Sequence, residues 1–190
     1  MVSSREGTPQ KRQDAPPPLE LVRAFINTRD LEIGTDALSE PEGVRHWLVS
    51  QGLAEPPVVV GEEDRAEAVR VREAMRSLAR RNTGRPIDPD DARVLDRLSR
   101  RAGLRVRFDP AGGQALAPRQ GGDVRSALGV LLAAVATAAI DGTWRRLKVC
   151  SADDCLWAFY DHSRNRSGVW CQMAECGNRA KVRAYRDRRA

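Results

Sequence analysis

The chain has 190 residues, 41% of them hydrophobic and 31% charged, so it can bury a core and is not a disordered polyelectrolyte. Its 32 Lys and Arg outnumber 26 Asp and Glu, and the net +6 suits an anionic partner without choosing between nucleic acid, a membrane surface and none. The longest apolar stretch, 127–140, has 14 residues where a membrane span needs about 20, so no membrane partner is expected.

Residues 1–18 read as a disordered leader, polar and ending in Pro16-Pro17-Pro18. They hold no apolar segment of signal-peptide type, and a cytoplasmic chain is expected. Leu21, Val22, Phe25 and Ile26 then form a helical stripe. The polar run Asn27-Thr28-Arg29-Asp30 either ends that helix or lines a ligand pocket. Ser39-Glu40-Pro41-Glu42 has the pattern of a capping box, with Ser39 as the cap. The helix it opens turns Val44, Trp47 and Leu48 inward and stops at Gly52. A longer helix is expected over 62–82, where Ala68, Val71, Met75 and Leu78 recur at helical spacing. Acids crowd its start and Arg80-Arg81 its end, as the helix dipole favours. Asp88 caps a further helix carrying Val94, Leu95 and Leu98. Residues 104–108 and 114–117 read as a small β-hairpin. Asp123 caps the apolar helix running to Ile140, which belongs at the centre of a helical bundle.

The composition changes near residue 143. Residues 144–190 carry 11 basic and five acidic residues, which is the entire excess charge, while the preceding 143 balance. All four cysteines and six of the nine aromatics lie there too. A leader (1–18), a helical domain (19–143) and a C-terminal module (144–190) are therefore expected.

Cys150, Cys155, Cys171 and Cys176 form two C-x4-C pairs fifteen residues apart. A tetrahedral zinc needs two such pairs of thiolates, and short loops deliver each with little loss of entropy. Two disulfides are the alternative, disfavoured in a chain without a signal peptide. Four thiolates leave no open position, so the expected role is one structural Zn²⁺. Such an ion supplies about 10–16 kcal/mol of apparent binding free energy, which would let so short a segment fold. Trp157 and Phe159 read as a strand in a miniature core, with Trp170 on its partner strand; base stacking is the less favoured use of these rings.

Behind Cys176, Asn178 can cap a helix on which Arg179, Arg183 and Arg186 share a face, with Lys181 beside them. Val182 and Tyr185 are expected on the attachment side. Arg164-Asn165-Arg166-Ser167-Gly168 is a second basic element. Arginine forks suit phosphates and guanine edges, although such charge is also common on a merely solvated face.

Together these residues form a pattern. Cys155-x-Trp157-x-Phe159-Tyr160-Asp161-x-Ser163-Arg164-Asn165-Arg166-Ser167, Trp170-Cys171 and Cys176-Gly177-Asn178-Arg179-x-Lys181-x-Arg183 resemble the CGNR zinc-finger family. Leu21-Val22, Asn27-Thr28-Arg29-Asp30 and the segment from Trp47-Leu48 to Gly52-Leu53 resemble the ABATE domain of stress-induced transcription regulators. The resemblance implies zinc ligation by the four cysteines and a DNA-binding finger. Many relatives carry a further arginine after the Ser-Arg-Asn-Arg-Ser run, where this chain has Gly168-Val169.

No catalytic set emerges. Asp161-His162-Ser163 has triad residue types, but chain neighbours cannot form the relay, which is assembled in space. His162 as a zinc ligand is unnecessary beside four cysteines. The expected protein is mostly α with a small β-hairpin, plus a treble-clef-like zinc finger of four cysteines. It would bind double-stranded DNA through Arg164, Arg166, Arg179, Lys181, Arg183 and Arg186, and would not be an enzyme. The helical domain would sense a small-molecule effector or form a homodimer. The competing readings are an RNA-binding or protein-interaction zinc module, and an N-terminal enzyme using Asn27, Thr28, Arg29 and Asp30.

Overall fold

The stripe after Pro18 forms α1 (Leu19–Ile26), whose Val22, Phe25 and Ile26 are buried. In this computed structural model, which describes residues 14–188, most of the expected leader (1–13) lies outside the described residues. Its last residues are tied to α1: the Ala15 N–H donates to Glu20 at 2.7 Å, and Arg23 reaches Asp14 at 3.1 Å. A two-residue pair, β1 (Arg29–Asp30) with β2 (Thr35–Asp36), follows. Next come α2 (Pro41–Ser50), α3 (Glu62–Arg80) and α4 (Pro89–Arg101). The hairpin β3 (Arg105–Phe108) with β4 (Gln114–Ala117) forms where the sequence places it.

Local chemistry accounts for the helix ends. The Asp88 carboxylate accepts from the Asp90 N–H at 2.8 Å, and Asp123 accepts from Ser126 at 2.8 Å, so both predicted caps form. At α2 the cap is Glu40 rather than Ser39. Pro41 takes the first helical position, and Val44 bonds back to the Glu40 carbonyl, leaving Ser39 outside the helix.

Helix α5 (Val124–Asp141) is long and apolar enough to cross a membrane by length and composition, yet most of it is buried in the bundle. It packs very closely at Gly129, where a Cβ would lie 2.8 Å from the side chains of Ala102 and Pro118. Only hydrogen fits there.

Beyond α5, a 3-10 turn leads into β5 (Leu147–Val149), antiparallel to β6 (Ala158–Tyr160). Trp170 lies in no strand; β6 takes its partner from β5 instead, because Leu147 and Val149 supply the apolar face the helices need. The last helix is α6 (Asn178–Asp187).

The change in composition near residue 143 is not a change in packing. Trp144, Leu147, Val149, Ala158 and Tyr160 share one core with Phe25, Leu48, Met75 and Leu131. A separate small cluster holds only the cysteines, Ala152, Trp157 and Trp170. The front half of the finger is thus built into the helical core, and only its back half rests on the sulfur cluster.

Candidate metal centre and nucleic-acid interface

Cys150 follows β5 and Cys155 precedes β6, so the hairpin's own turn carries the first pair. The Cys150 N–H donates to the Trp157 carbonyl at 2.9 Å, and Cys155 to Ala152 at 3.0 Å, fixing the turn. Ser151 donates to the Val169 carbonyl at 2.9 Å and draws the returning chain alongside. A single π turn, Met173–Gly177, then places Cys171 and Cys176 over the first pair and runs straight into α6.

All four sulfurs lie within 4.8 Å of one another. Cys155–Cys171 and Cys171–Cys176 are each 3.7 Å apart, close to the edge of about 3.8 Å that a tetrahedron of 2.3 Å zinc–sulfur bonds requires. A disulfide would bring two sulfurs to about 2.05 Å. The cluster suits one structural zinc ion.

The thiols themselves call for a cation. Hydrogen bonds from Cys155 and Cys171 lower Cys150 to about 2. The same Cys150 sulfur pushes Cys155 up to about 12. Cys171 is raised by both neighbours, and Cys176 chiefly by burial. One thiolate forms readily and the others resist. Four can coexist only around a positive centre.

Arg179 buttresses this centre. One guanidinium nitrogen lies 3.3 Å from the Cys176 sulfur, and the other donates to Glu32, just beyond β1, at 3.0 Å. Glu32 first, then the Cys176 and Asp154 charges, raise its pKa. Asp154 stands 4.0 Å from Arg179 and 3.8 Å from Arg183.

These contacts reverse the expected faces of α6. Arg179, Ala180, Arg183 and Ala184 line a cleft against Asp154 and Trp170, so small residues and paired arginines form the inner side. Val182 and Tyr185, expected to attach the helix, are about half exposed. The knuckle offers carboxylates and a sulfur rather than an apolar groove, and the helix turns its arginines to them. Asn178 does not cap: its side chain donates to the Ala174 carbonyl, because the π turn already continues the helix backwards. Lys181, Arg183 and Arg186 are exposed on α6, and Arg164 and Arg166 are exposed on the loop after β6.

The side chains of the run Asn27, Thr28, Arg29 and Asp30 bond within the fold. The Asn27 amide donates to the Ala158 carbonyl at 2.9 Å and accepts from the Ala158 N–H at 2.8 Å. Thr28 bonds Phe25 and Arg72, Arg29 approaches Glu73, and Asp30 accepts from Glu32 and Ile33. Asn82 adds a second clamp, donating to the Trp144 and Leu147 carbonyls. Sequence reasoning gave no role to Asn82, Lys148 or Asp161; the available signals were a lysine inside the apolar triplet of β5 and the place of Asp161 in the family pattern. Asn27→Ala leaves both backbone groups of Ala158 unpaired and should cost about 2 kcal/mol. Faster amide exchange at Ala158 and a lower melting temperature would register it; unchanged exchange would show the clamp to be idle.

Residues 19–142 match the ABATE family, described as Putative stress-induced transcription regulator. The chain belongs to the ABATE family. Residues 146–189 match the CGNR zinc finger, in the order expected from the sequence. No curated protein matches the chain. Both families are of regulator or zinc-finger type rather than enzymes, and the four clustered sulfurs agree with the second.

Proposed function

We propose that this ABATE–CGNR chain is a transcriptional regulator that binds double-stranded DNA with its C-terminal segment. The observation that supports it most is α6. This ten-residue helix has no buried residue, and its face opposite the Asp154 cleft is exposed. It stands off the zinc cluster with Lys181, Val182, Tyr185 and Arg188 along its outer face and Arg186 at the edge. A helix that presents such a basic face outside its own fold can enter a major groove. Arg164 and Arg166 on the loop after β6 would hold phosphates, fixing register while the helix reads bases. Arg179 would act indirectly, holding the helix against the metal, and Arg183 would contact the backbone at the flank. Four ligand thiolates around Zn²⁺ subtract about two charges from the +6 of this segment, leaving about +4.

Contacts from Arg164, Arg166, Lys181, Arg183 and Arg186 predict a slope of log K against log salt of about −4.5 on duplex DNA. Fluorescence anisotropy at a series of salt concentrations measures it. Competition with single-stranded RNA and heparin adds the discriminating arm, since duplex preference should persist at high salt. A slope near zero, or equal displacement by all three polyanions, would refute the reading.

A further inference from the structure

The loop after β6, residues 161–168, is short and polar, yet it is held by a buried ion pair. Lys148 points from the middle of β5 and is 3% exposed, and Asp161 is 5% exposed. The lysine ammonium lies 2.8 Å from an Asp161 carboxylate oxygen and also donates to the carbonyls of Arg166, at 2.5 Å, and Gly168, at 2.9 Å. All three ammonium protons are used. The Asp161 carboxylate in turn accepts from the N–H groups of Ser163, at 2.9 Å, and Gly168, at 2.8 Å. Arg146 takes the Asp161 and Ser163 carbonyls at 2.8 and 2.9 Å.

Two cations from one segment of chain therefore pull four loop carbonyls inward. That removes partial negative charge from the outer surface, where Arg164, Asn165, Arg166 and Ser167 are all exposed. Arg166 is left-handed at φ +52°, a conformation that the bond from Lys148 to its carbonyl holds in place. Position 168 is tight: a Cβ there would lie 3.0 Å from the Asp161 carboxylate, which would have to give by a few tenths of an ångström.

We infer that Lys148 and Asp161 are positioning residues that shape loop 161–168 into a preformed clamp for two phosphodiester groups, gripped by Arg164 and Arg166. The inference rests on the duplex-DNA reading and assigns to this loop the backbone contacts rather than base readout. Preordering matters because each long side chain or loop segment immobilised on binding weakens association, and a loop already held in shape avoids that loss.

Charge counting and positioning predict different results. Lys148→Met removes a positive charge, Asp161→Asn removes a negative one, and Gly168→Ala removes neither. Simple electrostatics expects the first to weaken duplex binding, the second to strengthen it and the third to do nothing. Positioning expects all three to weaken it. Each should make the salt slope shallower by up to about 1.8, the loss expected from the Arg164→Ala/Arg166→Ala double variant, since each phosphate contact contributes about 0.9. The measurement uses the full chain loaded with zinc, with metal content and cooperative unfolding checked for each variant. If Lys148→Met does not fold, Asp161→Asn and Gly168→Ala decide the matter. A steep wild-type slope kept by those two variants, or tighter binding by Asp161→Asn, overturns the clamp and leaves the DNA reading standing. So does an unchanged slope in the double-arginine variant. A flat wild-type slope overturns the DNA reading itself.

Discussion

Chelating the metal from the full chain should melt residues 170–188 and abolish duplex binding while the helical core stays folded. Apart from zinc, α6 rests on a small cluster of cysteines, Ala152, Trp157 and Trp170, on the ion pairs of its arginines and on the Asn178 bond to Ala174, and it has no buried residue. Ten residues are fewer than the 12–15 at which an isolated helix becomes even marginal in water. The apparent binding free energy of a structural zinc, about 10–16 kcal/mol, far exceeds anything else holding this helix. The hairpin β5–β6 is different. Its Leu147, Val149, Ala158 and Tyr160 belong to the helical core, and Asn27 and Asn82 pin its backbone. Loop 161–168 hangs on Arg146 and Lys148 and needs no metal for its shape. Hydrogen exchange after chelation should therefore show protection lost on α6 but retained at Ser163, Gly168 and Ala158. Cys176→Ser should do the same without a chelator. Unfolding of the entire chain in one transition would show that the core leans on the metal; unchanged exchange on α6 would show that it does not need one.

What the sequence disclosed divides along physical lines. Helices α3, α4 and α5 were legible because their apolar spacing and their caps act within a few residues, as at Asp88 and Asp123. The metal centre was legible because thiolate number and spacing carry the coordination chemistry. Two features were not. The faces of α6 were inverted because the surface it meets comes from Asp154 and Glu32, far away in the chain, and its arginines follow those acids. The clamp role of Asn27 was not legible because a polar side chain that satisfies backbone 131 residues away carries no local sign of its partner. The boundary at 143 was visible in charge, cysteines and aromatics, all of which report on the finger's chemistry; packing follows the small apolar residues of β5 and β6, which cross it.

Asp36→Ala should be the most damaging single change in the helical part, costing about 3 kcal/mol. It strands Arg72, whose side chain is fully buried in α3 and forks onto Asp36 at 2.6 and 2.8 Å. Removing one partner of a buried pair typically costs about 3–5 kcal/mol because the remaining charge is left uncompensated. The low end applies because Asp36 itself is only partly buried and Arg72 keeps Thr28 and Glu73. The neighbourhood cannot absorb a stray charge easily: Arg76 is also buried, and burial already lowers its pKa. The pair also sets an acid limit. Burial raises the Asp36 pKa, but hydrogen bonds from Arg72 and the Leu38 N–H outweigh it, so the carboxyl sits below its ordinary value. A lowered folded-state pKa stabilises fully above the unfolded-state value of about 3.9, and the stability is lost as pH falls through the folded-state value. Denaturant melts at pH 7 and near pH 3 measure both effects, and Asp36→Ala should be closer to wild type at the lower pH. Replacing both partners, as in Asp36→Leu with Arg72→Met, should recover much of the loss, since an apolar pair leaves no buried charge. If the double variant is as unstable as the sum of the single ones, Arg72 is held by Thr28 and Glu73 and its link to Asp36 contributes little.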